Sequence, residues 1–583
     1  MSRDSIGLTK LGQGCSGAVR LDGRRHGETI RRRPGVTGGE LVARALAAAS
    51  VRHVFTLVGG HTTPVADACA QVGIRLVDVR HEEAAAHMAH AWARTTGEPG
   101  IALVTAGPGV TNTVTGVAHA WSGGAPVLVL AGRPPLAQAD RGALHEMDQV
   151  ALMRPITKWA ATVLETERLP EYVARAITEA GAGRPGPVFL ELPSDVLRGQ
   201  AEADVVVPPP APRPAGDPEA VVEAATLLSR AQRPLVFAGS GVFWSGAAAE
   251  LIALVEHLGA PVVVSHAARG IVPDDHPHHV GAARSRALRS ADAVLVVGSR
   301  FNFMLAYGQP PRWNPQAQVV QIDVDPGALG RNRRVDVQIA GDARLVLGEL
   351  VNALPSKPAG PWLDELRGAD AEARARLAAQ TASATGEPVH PLWVCAALAR
   401  VLEPEAFIAV DGGDILSFAR QALPGQRPGG WLDSGSFGCL GYGVAAACAA
   451  KLAFPERQAV ALVGDGAFGL GAIELDTAAR HGLEILVVVS NNGAWAIEAA
   501  SQEMEFGRSV ATTLERRPYH LLAESLGCEG VEVTHSDELE AALAAPIDER
   551  PRLLNVHTDP TPRSPDGLRG LGLVPDRQAV RFG

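Results

Sequence analysis

VALVGDGAFG at 460–469 and LVVVSNNGAW at 486–495 decide how this chain of 583 residues is read. Each is an apolar, β-branched run that stops at a turn, the first on Gly464-Asp465-Gly466 and the second on Asn491-Asn492-Gly493. The stretch between them has the period of an amphipathic helix, so the unit is strand, helix, strand, with the two strands parallel. Asp465 and Asn492 then reach the carboxyl edge of one sheet, where amides at the following helix start can hold a diphosphate. A carboxylate, a side-chain amide oxygen and a nearby backbone carbonyl form a hard oxygen set. Two phosphate oxygens and a water would complete an octahedron for Mg²⁺. Either motif alone is explained by an Asx turn and a helix cap; their pairing across adjacent strands carries the reading.

Working outward, similar apolar runs recur at 101–105, 127–131 and 188–192, at 235–239, 262–265, 294–298 and 319–323, and at 407–411, 485–490 and 553–556. Ala/Leu/Arg/Glu stretches of helical period separate them, so the fold class is α/β, with three doubly wound parallel-sheet domains. Pro208, Pro209, Pro210, Pro212 and Pro214 crowd one short segment, which can form neither helix nor central strand. The domains are accordingly placed at 35–204, 219–354 and 387–560. A Pro-rich linker runs over 205–218, a linker with a charged helix (362–380) over 355–386, a basic tail over 1–34 and a tail or lid over 561–583. The first and third groups of strands share an element order.

Composition excludes other classes. Lys plus Arg is 53 against 63 Asp plus Glu, a net charge of −10, which speaks against nucleic acid or an acidic membrane as partner. Six cysteines (Cys15, Cys69, Cys395, Cys439, Cys448, Cys528) without a CxxC pair suggest neither a disulfide framework nor a zinc cluster. They fit a reducing cytoplasm. The sequence has no long uncharged apolar run and no apolar leader, so a cytoplasmic protein is expected.

The first domain supplies other candidate residues. The strand LVDVR runs into HEEAAAHMAHAWAR (81–94), which sets Glu82 and Glu83 at a helix start. A carboxylate at a strand terminus facing an apolar pocket should have a raised pKa and can share a proton with a ring nitrogen; an ordinary helix-start Glu describes Glu83 better. LVTAGPGVTNTVTGVAHAW (103–121) is a strand, a Gly-Pro-Gly turn and a helix. His61 follows the strand of LVGGHTTP, and His145 sits in LHEMDQ. Both can titrate near neutrality.

Together these segments resemble the thiamine-diphosphate-dependent enzymes of the acetolactate synthase-like and 2-hydroxyacyl-CoA lyase family, over about residues 36–560. The resemblance implies a pyrimidine-binding first domain, a nucleotide-type central domain and a diphosphate-binding third domain. It implies thiamine diphosphate and Mg²⁺, with Asp465, Asn492 and the Ala494 carbonyl as metal ligands. It makes Glu82 the residue that hydrogen-bonds the aminopyrimidine, with His61 and His145 as further catalytic candidates. Cofactor contacts carried over are Glu82, Asn112, Gly413, Asp414, Gly438, Leu440, Gly464, Asp465, Gly466, Ala467, Asn492 and Trp495. Leu440 stands where the family commonly has Met to wedge the folded cofactor, and His145 where it commonly has Gln.

In the central domain GSG (239–241), GSR (298–300) and DVDP (323–326) resemble the region that holds FAD or ADP in some relatives, which makes Arg300 and Asp323 nucleotide candidates. Acetolactate synthases carry GARFDDR where this chain has GSRFNFM (298–304), so Met304 replaces an Arg that reads a 2-oxo acid carboxylate. GAARSRALRSAD (281–292) instead resembles oxalyl-CoA decarboxylase and 2-hydroxyacyl-CoA lyase. The expected activity is therefore a carbon–carbon lyase or carboligase on an acyl-CoA, with acetolactate synthase chemistry on 2-oxo acids as the alternative. A homodimer or homotetramer is implied, because in relatives two subunits meet over one cofactor.

Overall fold

Runs of Val, Leu, Ile and Ala that are buried at nearly every position form the centres of three parallel sheets, as expected where helices cover both faces. The computed structural model describes residues 35–569 apart from 385, 426 and 548. The basic tail expected over 1–34, and residues 570–583 of the expected C-terminal tail or lid, lie outside the described residues.

The first sheet is ordered Arg75–Asp78, His53–Leu57, Gly100–Val104, Val127–Arg133, Val188–Pro193, Trp159–Thr162, all parallel. The third is ordered Trp431–Leu432, Phe407–Asp411, Ala459–Gly464, Leu486–Asn491, Arg552–His557, Glu529–Val533. Numbered within each domain, both orders are 2-1-3-4-6-5, so the likeness seen in the sequence is a likeness of topology. The central sheet runs Val262–Val264, Pro234–Ala238, Ala293–Val297, Gln318–Asp323, Val337–Ala340. Each sheet reverses direction of growth between its first and third strands, and that crevice at the carboxyl edge is where α/β sheets bind ligands.

Strands absent from the sequence reading are mostly edges. Trp159–Thr162 is half-buried throughout, Glu529–Val533 alternates without an apolar run, and Trp431–Leu432 has only two residues. The single amphipathic helix expected after Asp465 is two, Asp465–Gly471 and Glu474–Arg480. Gly466, Gly469 and Gly471 weaken the first, which ends after 7 residues. The 205–218 segment lies along the central domain: the Pro214 carbonyl accepts from Asp342 N at 2.8 Å and Arg213 donates to the Ser245 carbonyl at 2.8 Å. The charged helix beyond it spans Pro361–Ala382.

The first and third domains meet through Ala-rich helices. Glu82–Thr96 packs between Pro108–Gly123 and Tyr442–Ala453, and all but two of its residues are buried. Small side chains allow the close approach; a Cβ on Gly116 would stand 2.5 Å from the Ala86 Cβ. Among the described residues no helix is long and apolar enough to cross a membrane.

Candidate functional site

The third-domain crevice lies between Phe407–Asp411 and Ala459–Gly464. Asp465 opens its helix directly after the strand, 3% exposed. Its Oδ2 accepts from Gly493 N at 2.9 Å, while the Asn492 Oδ1 accepts from Ala494 N at 3.0 Å. The two loops read from the sequence therefore touch, through the Asx turn that Asn492 makes. Gly493 needs its positive φ (+71°) for that turn. Trp495 folds back over Gly466, whose missing Cβ would lie 2.3–2.6 Å from three ring carbons. Gly466→Ala should displace the ring and weaken cofactor binding at least tenfold, measured by titration, with the far-UV spectrum retained.

Around this centre, Gly413 caps the helix Asp414–Ala422 and packs against Ile497. Burial pushes the Asp414 carboxyl up, and its side chain bonds Ser564. The segment read as a possible lid starts here: Ser564 is fully buried, and Arg563 pairs with Glu503. Gly438 (φ +70°) and Gly441 (φ +88°) flank Leu440 in a turn that abuts Leu470 and Gly471, at the far end of the Asp465 helix. Gly464 and Ala467 bracket Asp465 on the strand end and the first helical turn.

The first-domain crevice lies between His53–Leu57 and Gly100–Val104. His61 follows one strand and Thr105 the other, with His61 Nδ1 and Thr105 Oγ1 3.2 Å apart. The ring of His145 is 5.5 Å from that of His61. Burial and the neighbouring His145 lower the His61 pKa, so it is neutral at pH 7 and able to take a proton. His145 has φ +66° and stacks its backbone on Gly107, where a Cβ would be 2.8 Å from its own Cβ. Glu82 is the first residue of its helix, 6% exposed, and its Oε2 accepts from Asn112 Nδ2 at 2.9 Å. Asn112 thus holds Glu82 in place. Arg80 N donates to Glu474 at 3.1 Å, beyond the C-terminal end of the Asp465 helix. Within one chain, then, the Glu82 end of the first domain docks away from Asp465.

Three family models match the chain: the N-terminal TPP binding domain of thiamine pyrophosphate enzymes over 36–152, their central domain over 221–350, and their C-terminal TPP binding domain over 411–556. The chain belongs to the thiamine pyrophosphate enzyme family. It is 39% identical to a probable acetolactate synthase of Mycobacterium bovis, over 90% of this chain and 96% of that protein. It is 36% identical to 2-hydroxyacyl-CoA lyase 2 of Mus musculus (85% and 84% covered) and 34% identical to acetolactate synthase isozyme 3 large subunit of Escherichia coli (88% and 92%). It is a thiamine-dependent enzyme by this membership, and its relatives divide between two activities.

The residues present fit the family cofactor. Burial pushes the Asp465 carboxyl up to about 6, and among the described residues no ion pair relieves it. A desolvated carboxylate beside an amide oxygen is a donor set for a hard cation. The sign of its effect on the cofactor-free protein follows. The folded state binds the Asp465 proton more tightly than the unfolded state, so between about pH 4 and pH 6 this group makes stability fall as pH rises, by about 3 kcal/mol in all. Asp465→Asn mimics the protonated acid. Without cofactor it should melt above the parent at pH 8, with the gap narrowing at pH 5, as calorimetry would show.

Arg300 and Asp323 do not join this centre. They line a separate cavity of about 340 Å³ at the central-sheet crevice, with Met304 on its wall. Arg300 donates to the Ser122 carbonyl at 2.9 Å, and burial raises the Asp323 carboxyl. Gly241 and Gly298 cross so closely that a Cβ on either would fall 2.5–2.6 Å from the other's Cα. Arg184 and His266, from distant segments, also line this cavity and escaped the sequence reading. So did the network that holds the first-domain crevice: buried Gln149 accepts from Gly107 N at 2.7 Å and donates to the Gly132 carbonyl at 3.0 Å and to Glu191 at 2.7 Å. Glu191 also takes Thr162 and Arg133. Gln149 closes the quoted LHEMDQ motif, but its partner lies 42 residues on.

Proposed function

We propose that this protein is a thiamine diphosphate- and Mg²⁺-dependent carbon–carbon lyase or carboligase of the 2-hydroxyacyl-CoA lyase type. When bound, thiamine diphosphate supplies a carbon nucleophile for a carbonyl and a sink for the electrons of the broken bond. Asp465, Asn492 and the Ala494 carbonyl would hold the metal, and backbone at Gly413 and Gly464–Ala467 would face the diphosphate. Glu82, oriented by Asn112, holds the proton at the aminopyrimidine. His61 and His145 stand at the neighbouring crevice as proton carriers for the substrate. The Gln149–Glu191 network positions the Gly107 turn on which His145 rests.

The observation that carries the substrate class is Met304. Its thioether cannot pair with a 2-oxo acid carboxylate, whereas a guanidinium does so with two parallel hydrogen bonds. The cavity on whose wall Met304 stands, lined also by Arg184, Arg300 and Asp323, suits a nucleotide: FAD or ADP, or the ADP portion of a coenzyme A thioester. The identity to proteins named acetolactate synthase favours a second reading, condensation of 2-oxo acids. Purified protein, loaded with cofactor and Mg²⁺, should cleave 2-hydroxyacyl-CoA and form at most a hundredth as much acetolactate from pyruvate. Robust acetolactate formation without thioester cleavage would reverse the assignment.

A further inference from the structure

The seam between the first and third domains holds polar groups that the cofactor site does not use. His87 lies on the helix Glu82–Thr96, His119 on Pro108–Gly123, and Cys439 on the loop before Tyr442–Ala453. A ring nitrogen of His87, one of His119 and the Cys439 sulfur lie within 4.8 Å of one another. His87 and His119 are 1% and 2% exposed, and Cys439 is half-buried. Among the described residues, both ring nitrogens of His87 and Nδ1 of His119 are buried with no hydrogen-bond partner. The buried Asp411 Oδ1 is equally unpartnered, and its carboxylate is within electrostatic reach of His87 and Cys439. Glu83 Oε1 stands 3.4 Å from His87 Nε2.

Buried polar atoms are nearly always satisfied, so three orphaned ring nitrogens on His87 and His119, gathered beside the Cys439 sulfur, point to a missing partner. We propose that His87, His119 and Cys439 form a structural site for a transition-metal dication, Zn²⁺ by ligand type, with Glu83 in the fourth position. Two imidazoles and a thiolate select a borderline-soft ion, whereas the Asp465 site offers only oxygen and selects a hard one. Tetrahedral Zn²⁺, with bonds of about 2.0–2.3 Å, holds its ligand atoms roughly 3.3–3.8 Å apart, so the side chains close in by about 1 Å. A dication, one thiolate and one carboxylate sum to zero, so no net charge is buried. Burial keeps His119 neutral, its pKa lowered to about 3, which is the form that binds metal. Burial raises the Cys439 thiol, so it is protonated without metal; binding forms the sulfur–metal bond and sends that proton to solvent. Around the set, the His90 ring lies tilted against that of His119, with centroids 4.0 Å apart, and bonds the Tyr442 hydroxyl at 3.2 Å. Such an ion ties two helices of one domain to the loop of the other and fixes Leu440, the residue after Cys439.

The test uses the cofactor-loaded protein in excess Mg²⁺, so that the oxygen site is occupied, first stripped of other metals by chelator. One equivalent of Co²⁺ should produce a sulfur-to-cobalt charge-transfer band in the near ultraviolet and visible bands of tetrahedral intensity, with one proton released per ion. Zn²⁺ should displace Co²⁺ and abolish both features. Cys439→Ser should remove the charge-transfer band, and His119→Gln should weaken binding at least tenfold; Cys69→Ser, remote from the seam, should change neither. A parent spectrum of octahedral type only, or a charge-transfer band that survives Cys439→Ser, would overturn the proposal whatever the fold of the variants.

Discussion

Asp465→Ala protein, titrated with thiamine diphosphate in excess Mg²⁺, should give no saturable heat and no cofactor-dependent rise in melting temperature, while its circular dichroism should match the parent. The parent at a hundred times its dissociation constant should gain about 2.7 kcal/mol from ligation. The reasoning is local. In the proposed metal site Asp465 would contribute the one carboxylate, and it accepts from Gly493 N, which holds the Asn492 turn in position. Its removal takes away the anionic ligand and loosens the loop carrying the other two. The fold survives because Asp465 is uncompensated when the site is empty, with its carboxyl raised to about 6 by burial. Loss of the charge should leave the cofactor-free chain at least as stable as the parent at pH 8. Undiminished cofactor affinity in this variant would remove Asp465 from the metal site.

Glu82→Gln is the complementary lesion. Gln keeps the size of Glu82 and its bond from Asn112, so cofactor binding should persist within a few fold. Activity should fall by about 10²–10⁴, the usual cost of losing a positioned proton carrier. Mixing the two inactive proteins then tests where the halves of the site come from. Within one chain, the start of the Glu82 helix is tied to Glu474 and Leu440's turn to the end of the Asp465–Gly471 helix, rather than to Asp465 itself. We therefore expect Glu82 of one subunit to serve the Asp465 of another. Random reassembly of equal amounts of Glu82→Gln and Asp465→Ala chains should restore about a quarter of parental activity, since half the dimers are mixed and each has one undamaged site. No recovery despite proven subunit exchange would show that each chain builds its own site.

Much of this protein is determined by local sequence. Continuous apolar runs ending in Gly-Asp-Gly or Asn-Asn-Gly specify buried parallel strands and loops at their carboxyl ends, because no other element buries such a run on both faces. That is why Asp465 and Asn492 could be paired from their positions in the sequence alone. The short edge strands Trp431–Leu432 and Trp159–Thr162 carry no such pattern, since they exist only where a neighbouring strand offers its hydrogen bonds. Of the glycines that weaken the helix after Asp465, Gly466 lies under the Trp495 ring and Gly471 against the Gly441 backbone, contacts that local sequence does not report. Tertiary structure alone decided which distant groups meet. Gln149 finds Glu191, Arg184 and Arg300 converge on the Ser122 carbonyl, and His87, His119 and Cys439 gather from three segments. Sequence periodicity reports which face of an element is buried, but the partner across a domain seam is chosen by the packing of whole helices, a long-range property that no local pattern encodes.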